Sequence, residues 1–515
     1  MNKRLILVLA LALVVGLTAG AYAEVQNVKV SGDITAMGVG RGNFALSKTA
    51  GPGSGVGVTN SASNEADLLS IARIRVDADL TDNVSATVRL LNERNWNGEG
   101  STAVTANSNI GGISGIAANE NNLNLDLAYV TLKEFLYSPL TLKLGRQELR
   151  FGNTLIVGDP DTNIYSAATA LAEGDLSARK SFDAIRATLD YNPLVIDGIY
   201  AKIQEGNVNL NDDVTLMGLN AAYELDKNTT LEGYFFSKIK GSDAATVYNV
   251  DAGNTTSFAT GGVNGIKNDA DKVNVVGLRA ANKTVNNLNL DAQVAYQFGT
   301  YNPKFDTNAA YVNATQKADT AKRSAWAFQA NANYDLKDIK GLEKYVPVIG
   351  AGYTYLSGAD RQRLDGKYRG WDPMFEDQTT GHIMNAVFSN TNMHRANFSG
   401  KAKLTDDIGL KLDYVMSWFA KKYTQNDLAV LSGVAGTTPA RIFRMDNKRP
   451  LGQEIDATLT YDYTEDVQFS LLGGVLLPSR AIQGTVSTGG NGGKAELVTE
   501  RKHAAELIGS MKVTF

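Results

Sequence analysis

The feature that most constrains this chain is a strict two-residue alternation that keeps returning along its length. In "SIARIRVDADLTDNVSATVRLL" (70–91), Ala72, Ile74, Val76, Ala78 and Leu80 alternate with Arg73, Arg75, Asp77 and Asp79. After Thr81-Asp82-Asn83 the pattern resumes, with Val84, Ala86, Val88 and Leu90 against Ser85, Thr87 and Arg89. Period two is the mark of a β-strand with two unlike faces. The alternation predicts strands centred on 27–40, 67–80, 84–94, 123–133, 140–151, 182–191, 195–205, 214–225 and 229–240. It predicts nine more on 272–283, 287–299, 324–336, 345–357, 391–404, 408–421, 451–463, 467–477 and 502–515. No helix-length 3.6-residue pattern competes.

The links alternate as regularly as the strands. Short turns stand at 81–83, near Pro139, at Asn192-Pro193 and at 226–228, 284–287, 405–407 and 464–466. Between them lie long Gly-, Asn-, Ser- and Thr-rich links near 41–66, 95–122, 152–180, 241–271, 301–323, 358–390, 422–449 and 478–501; the link near 206–213 is short. This is the pattern of short periplasmic turns and long extracellular loops. It predicts an all-β fold: a transmembrane antiparallel barrel of about eighteen strands, in the outer membrane of a Gram-negative-type cell. Such loops would be out of place in a compact soluble domain.

The ends of the chain agree. Met1-Asn2-Lys3-Arg4, a short apolar run and TAGAYA are expected to be a secretory signal peptide over 1–23, with the barrel expected over 24–515. Loss of Lys3 and Arg4 takes the formal net charge from −4 to −6, which speaks against a nucleic-acid partner. There are no cysteines, so neither disulfides nor thiolate metal sites arise. "AAELIGSMKVTF" (504–515) alternates and stops on Phe515, like a terminal barrel strand that the assembly machinery engages.

The two faces then divide the functional residues. Arginine at mid-depth on a lipid face costs ~2–4 kcal/mol, so Arg73, Arg75 and Arg89 are expected inside a wet lumen. Lys143, Arg146, Arg150, Arg186 and Lys202 are expected to extend that basic wall. Gly145 is expected to allow a β-bulge that turns Arg146 inward against its parity. Asp291, Asp335, Glu454 and Asp456 are expected as an opposing acidic wall, giving a transverse field across the pore. Tyr129, Tyr191, Tyr223, Tyr334, Tyr461, Tyr463 and Phe515 are expected as the aromatic girdle at the short-turn end, with Tyr296, Phe298 and Trp418 at the other. The loop at 152–180 is expected to constrict the lumen, and the loop at 358–390 to sit at its mouth.

Other sites are not supported. "GDPDTN" (158–163) starts like a calcium loop, but Ile164 and Ala170 replace the required Gly and Glu. His382, His394 and His503 are too dispersed for a metal site or a nucleophile's base, so neither cofactor nor catalysis is expected.

"LGRQELRFGN" (144–153) followed by "RKSFDAIRATLDY" (179–191) resembles the alginate export family of outer-membrane porins. The residues that carry the likeness are Gly145, Arg146, Gln147, Phe151, Gly152, Phe182, Asp183, Ala184 and Arg186. The resemblance implies an eighteen-stranded barrel with an arginine-lined conduit for an anionic polysaccharide or a smaller anionic solute. The expected partners are outer-membrane lipid and lipopolysaccharide, the assembly machinery and a polar, anionic solute. The competing expectation is a barrel scaffold, adhesin or sheath for a partner protein, without open-channel transport.

Overall fold

The computed structural model describes residues 27–44, 46, 64–96, 123–161, 174–205, 213–241, 270–302, 320–359, 366–422, 428–432, 441–445, 447–487, 496–497 and 501–515. The expected signal segment and the glycine runs at 51–57 and 489–493 lie outside these residues.

Every expected strand forms. The first nine are β1 (Asn27–Gly42), β2 (Asn64–Thr81), β3 (Val84–Asn95), β4 (Leu123–Leu132), β5 (Leu140–Glu148), β6 (Ser181–Asp190), β7 (Leu194–Gln204), β8 (Val214–Asp226) and β9 (Thr229–Lys240). The rest are β10 (Asp271–Asn282), β11 (Leu288–Tyr301), β12 (Ala321–Asp335), β13 (Val348–Leu356), β14 (Met393–Lys403), β15 (Ile408–Phe419), β16 (Pro450–Asp462), β17 (Val467–Pro478) and β18 (Ala504–Thr514). Each pairs antiparallel with its sequence neighbours, and β1 pairs with both β2 and β18. First-to-last pairing closes the sheet and leaves no edge, the condition for putting a sheet into lipid.

The outward face is apolar. Ile74, Ile185, Leu219, Leu278, Ile349, Leu412, Ile455 and Leu507 all stand exposed on it. Of the residues expected in the lower ring, Tyr191, Tyr223, Tyr334, Tyr461, Tyr463 and Phe515 are exposed, and Tyr461, Tyr463 and Phe469 pack together. An upper ring runs through Tyr296, Phe298, Trp326, Tyr353, Tyr355, His394 and Trp418.

Tyr129 is a correction. The β3–β4 register shifts between Arg89 and Leu90, an irregularity around Asp126 that changes the phase of β4. Leu123 and Leu125 are exposed outside, Leu127 is buried, and Val130 takes the outward position. Tyr129 therefore faces Thr87, on the face of Arg75 and Asp77, with the Lys143 ammonium 4.5 Å over its ring.

Above the rim, Leu428–Ser432, Arg441–Met445, Ile482–Ser487 and Glu496–Leu497 form a separate small sheet. A short helix, α1 (His382–Val387), belongs to the link between β13 and β14 and packs on the barrel wall.

Candidate functional site: a lumen narrowed by inward loops

The upper inner wall is not the polar surface that alternation suggests. Ala184, Ile199, Ala201, Leu216, Phe236, Val273, Val275, Ala295, Ala325 and Ala327 are all buried there. What buries them is loop: Leu149, Phe151, Leu155, Ile156 and Val157 from the β5–β6 link, with Trp371, Met374 and Phe375 from the β13–β14 link. Leu176 and Ala178 pack on Leu69, Ile71 and Leu91 of the β2–β3 wall. Helix α1 packs on Val415, Phe419, Leu451 and Leu476. Both links thus fold into the barrel; the second is not confined to its mouth.

The two links are zipped together. Val157 and Phe375 form a parallel bridge, and the Phe375 N–H donates to the Ile156 carbonyl at 3.1 Å. The N–H groups of Gly158 and Asp159 donate to the Phe375 carbonyl at 2.7 and 3.0 Å, and that of Asp377 to Thr154 at 3.0 Å. Arg150 and Asp377 form an ion pair across the seam, and Lys180 reaches Asp377 and Asp159. Asp161 is held by Arg179. Both carboxylates of the calcium-like stretch are thereby committed to cations, and no metal-binding cluster exists among the described residues.

The zipped pair is bolted to the wall by polar contacts. The Asn153 amide donates to Gln329 at 2.6 Å and to Asp291 at 3.0 Å. Asp372 takes Lys238 at 2.6 Å, and its backbone exchanges two hydrogen bonds with the Gln297 side chain. On the far side, the N–H groups of Ile383 and Met384 donate to the Glu454 carboxylate at 2.7 and 2.6 Å, and that of His382 to Asp456 at 3.3 Å. Glu454 and Asp456 are fully buried under α1. They are corrected from an open acidic wall to the seat of a helix terminus, where carboxylates complement the free N–H groups.

The arginines of the expected basic wall are each paired, and Lys143 rests on the Tyr129 ring. Arg73 holds Asp33 on the adjacent strand at 2.9 Å, Arg75 holds Asp77 at 2.7 Å, and Arg89 holds Asp126 and Glu148 at 2.6 and 2.5 Å. Arg186 holds Asp197 at 2.7 Å and lies over the Phe151 ring. On the acidic side, Asp291 is taken by Arg279 at 2.5 Å, and Asp335 sits at the lower end beside Lys337. The expected transverse field is thereby replaced by local pairs.

Two basic positions differ from expectation. Ala184 opposite Ala201 is buried inside, so Asp183 opposite Lys202 falls on the outward phase; Lys202 pairs with Asp213 at the upper rim, not in the lumen. The bulge expected at Gly145 does not form, since the β5–β6 register runs unbroken from Leu140 to Glu148. Gly145 is needed for another reason. Its φ is +118°, and a Cβ there would sit 2.2 Å from the Ala128 carbonyl oxygen. Gln147, fully buried, ties this backbone with bonds to the carbonyls of Lys143, Gly145 and Ala184. Arg146 contacts Asp183 and Ser181, both at 3.1 Å, and Ser181 leads on to Asp126, the partner of Arg89.

Sequence reading missed Glu376 and Arg395. Both line a small recess between plug and wall with Trp371, Gln378, Asn390 and Thr354. Glu376, in the loop and buried, accepts from the Asn390 amide at 2.7 Å and the Gln378 N–H at 2.9 Å. Burial nevertheless pushes its carboxyl up to about 7. The inward parity of Arg395 was readable; the loop that covers it was not.

The model of the family described as alginate export matches residues 54–491. Among solved structures, the chain is similar to OccK8 (OprE) of Pseudomonas aeruginosa at 10% identity and a TM-score of 0.49, covering 95% of this chain and 99% of that one. It is similar to the outer-membrane protein opdK of Pseudomonas aeruginosa at 10% identity and 0.48, covering 95% and 100%. OccAB1 of Acinetobacter baumannii stands at 9% identity and 0.48, covering 96% and 99%. Among curated proteins, none matches the chain.

Proposed function

Since this chain belongs to the alginate export family of outer-membrane barrels, we propose that it passes polar, anionic solutes through a lumen whose upper half is gated by its own loops. It is an outer-membrane channel of the porin type. The solute class is the finer reading. It is supported by the row of Arg73, Arg75, Arg89, Lys143 and Arg186 along one wall, on the phase opposite the exposed apolar residues. Water and fixed charge replace lipid along such a path, so no bond is made or broken and no residue is asked to catalyse. Acidic saccharides fit the same wall.

The observation that carries the proposal is that row of basic side chains on the lumen phase, and its pairing tempers it. Each of these arginines keeps a carboxylate partner, so the wall presents alternating charge. Lys143 is the exception, resting on Tyr129. Paired walls give weak selectivity, because each pair's field falls off within a few ångströms in water. Planar-bilayer reversal potentials in a tenfold KCl gradient test this. The expected result is a mild anion preference, with a chloride-to-potassium permeability ratio below about three. A cation preference overturns the solute class. Absence of any conductance, with the loops intact or removed, supports the sheath or scaffold reading, which the filling of the upper bore also favours.

A further inference from the structure

The outward rim of β10–β12 carries an arrangement that solute passage leaves unused. On β10, Val276 and Leu278 are exposed outside while Val273 and Val275 are buried inside. On β12, Trp326 and Phe328 are exposed outside while Ala325 and Ala327 are buried. The same phase turns Lys272 and Lys322 outward, and both are exposed. Lys272 stands opposite Thr300 on β11, Thr300 opposite Lys322, and Lys322 opposite Lys367 of the two-residue strand Lys367–Tyr368. Three lysines and a hydroxyl thus form one cross-strand row. With strands ~4.8 Å apart, the backbones of Lys272 and Lys322 stand about 10 Å from each other.

The row has a floor. Toward the membrane, the next outward rung holds Asn274, Phe298 and Ser324, and the one below it Val276, Tyr296 and Trp326. The rings touch: Tyr296 and Trp326 lie 4.5 Å apart, Tyr296 and Phe298 6.1 Å, Phe235 and Phe298 6.4 Å. Outward aromatics at a strand's upper end mark the hydrocarbon boundary. The lysines begin one rung higher, at the level of headgroups. Both strands start here after long links, so this is the extracellular end.

Among the described residues, what separates this row from other cations at that height is the lack of a counter-charge. Just inside, Arg323 holds Asp271 and Lys238 holds Asp372; further round the rim, Lys202 holds Asp213. Among the described residues, no carboxylate pairs with Lys272, Lys322 or Lys367. Like charges on neighbouring strands repel, so a row of them is favourable where an external anion sits between.

We propose that this row binds the phosphates of the outer-leaflet glycolipid, with the diphosphorylated sugar headgroup across Lys272, Lys322 and Lys367 and the acyl chains against Tyr296, Phe298 and Trp326. The inference rests on the barrel's membrane position and not on which solute it carries.

The test uses the full-length barrel in detergent. Binding of diphosphoryl lipid A is followed by native mass spectrometry for the parent, for Lys272→Ser/Lys322→Ser, and for a control Lys340→Ser at the short-turn end. A lysine beside an anionic surface contributes enough that the double variant should bind about thirtyfold more weakly. The control should match the parent. Dephosphorylated lipid A should bind the parent no better than the double variant. Equal binding by parent and double variant overturns the site. So does equal competition by phosphatidylglycerol or by inorganic phosphate, since the surface would then recognise any anionic lipid or the free ion. Heat-modifiable migration of each barrel on gels confirms that the variants are folded, so that lost binding reports the site.

Discussion

The upper and lower halves of the bore are made from the same strands, yet their inward faces differ. The lower half keeps ion pairs such as Arg75–Asp77 and Arg186–Asp197, with amides such as Asn331 and Asn397 on the β12–β14 wall. The upper half turns apolar, with Val273, Val275 and Ala325 buried by inward loops. A barrel's inward face is polar where its neighbour is water; where its neighbour is chain it turns apolar apart from the groups that bond that chain, such as Gln297, Glu454 and Asp456. The difference marks where the bore is filled.

The largest expected effect follows from removing that filling. Replacing residues 371–391 with a short Gly-Ser link takes away Phe375, Asp377 and α1 together. The β5–β6 link then loses its bridge to Phe375 and its ion pair at Arg150. Single-channel conductance should rise by at least about threefold while the barrel remains closed, since β1–β18 pairing is untouched. Unchanged conductance would mean that the two halves are equally open.

A smaller effect, and a conditional one, comes from Glu376. Its carboxyl, raised to about 7 by burial, is set against the usual value near 4.5 in a released loop. The docked state therefore holds its proton more tightly than the free one. Docking is strongest at low pH, weakens as pH rises from about 4.5 to 7, and is level above that, by up to roughly 3 kcal/mol. Arg395 on β14 favours the ionised form and the neighbouring Asp377 opposes it. Open-channel probability should accordingly climb between pH 5 and 7.5 in the parent and stay flat in Glu376→Gln. A profile that survives this substitution places the titration elsewhere.

How much of this was legible depends on which periodicity carries it. The eighteen strands and the closure were readable because lipid imposes one side of the alternation everywhere. The outward phase of the lower aromatics follows the same alternation, except at Tyr129. There an irregularity around Asp126 shifts the phase, and no residue type announces it. Lys202 misled in the opposite way: it was assigned by charge when its parity, shared with the exposed Tyr200, already placed it outside. The plug was not legible. Phe151, Phe375 and Ile383 belong to segments without period, and their partners lie far away in sequence. Gly145 was rightly picked out, but a close approach to Ala128 explains it, not a bulge.

The smallest expected effect tests the lower half directly. Arg75 makes two contacts to Asp77, at 2.7 and 2.8 Å, and Thr87 donates to the same carboxylate at 2.7 Å. Both members are about one-third exposed, so water screens the pair and its net contribution to stability is small. Its effect on permeating ions is another matter, because a pair adds almost no net charge to the wall. Arg75→Gln leaves the Asp77 carboxylate without its guanidinium, bonded by Thr87 and opposite Lys29 on β1, adding one negative charge to the wet part of the bore. The reversal potential should move a few millivolts toward cation preference. Arg75→Gln combined with Asp77→Asn removes both charges, and the potential should return to the parent's value. If the double variant instead stays as shifted as the single one, then Arg75 acts on solutes as a free cation, and the division between a charge-balanced lower lumen and a loop-narrowed upper one fails at its best-defined pair.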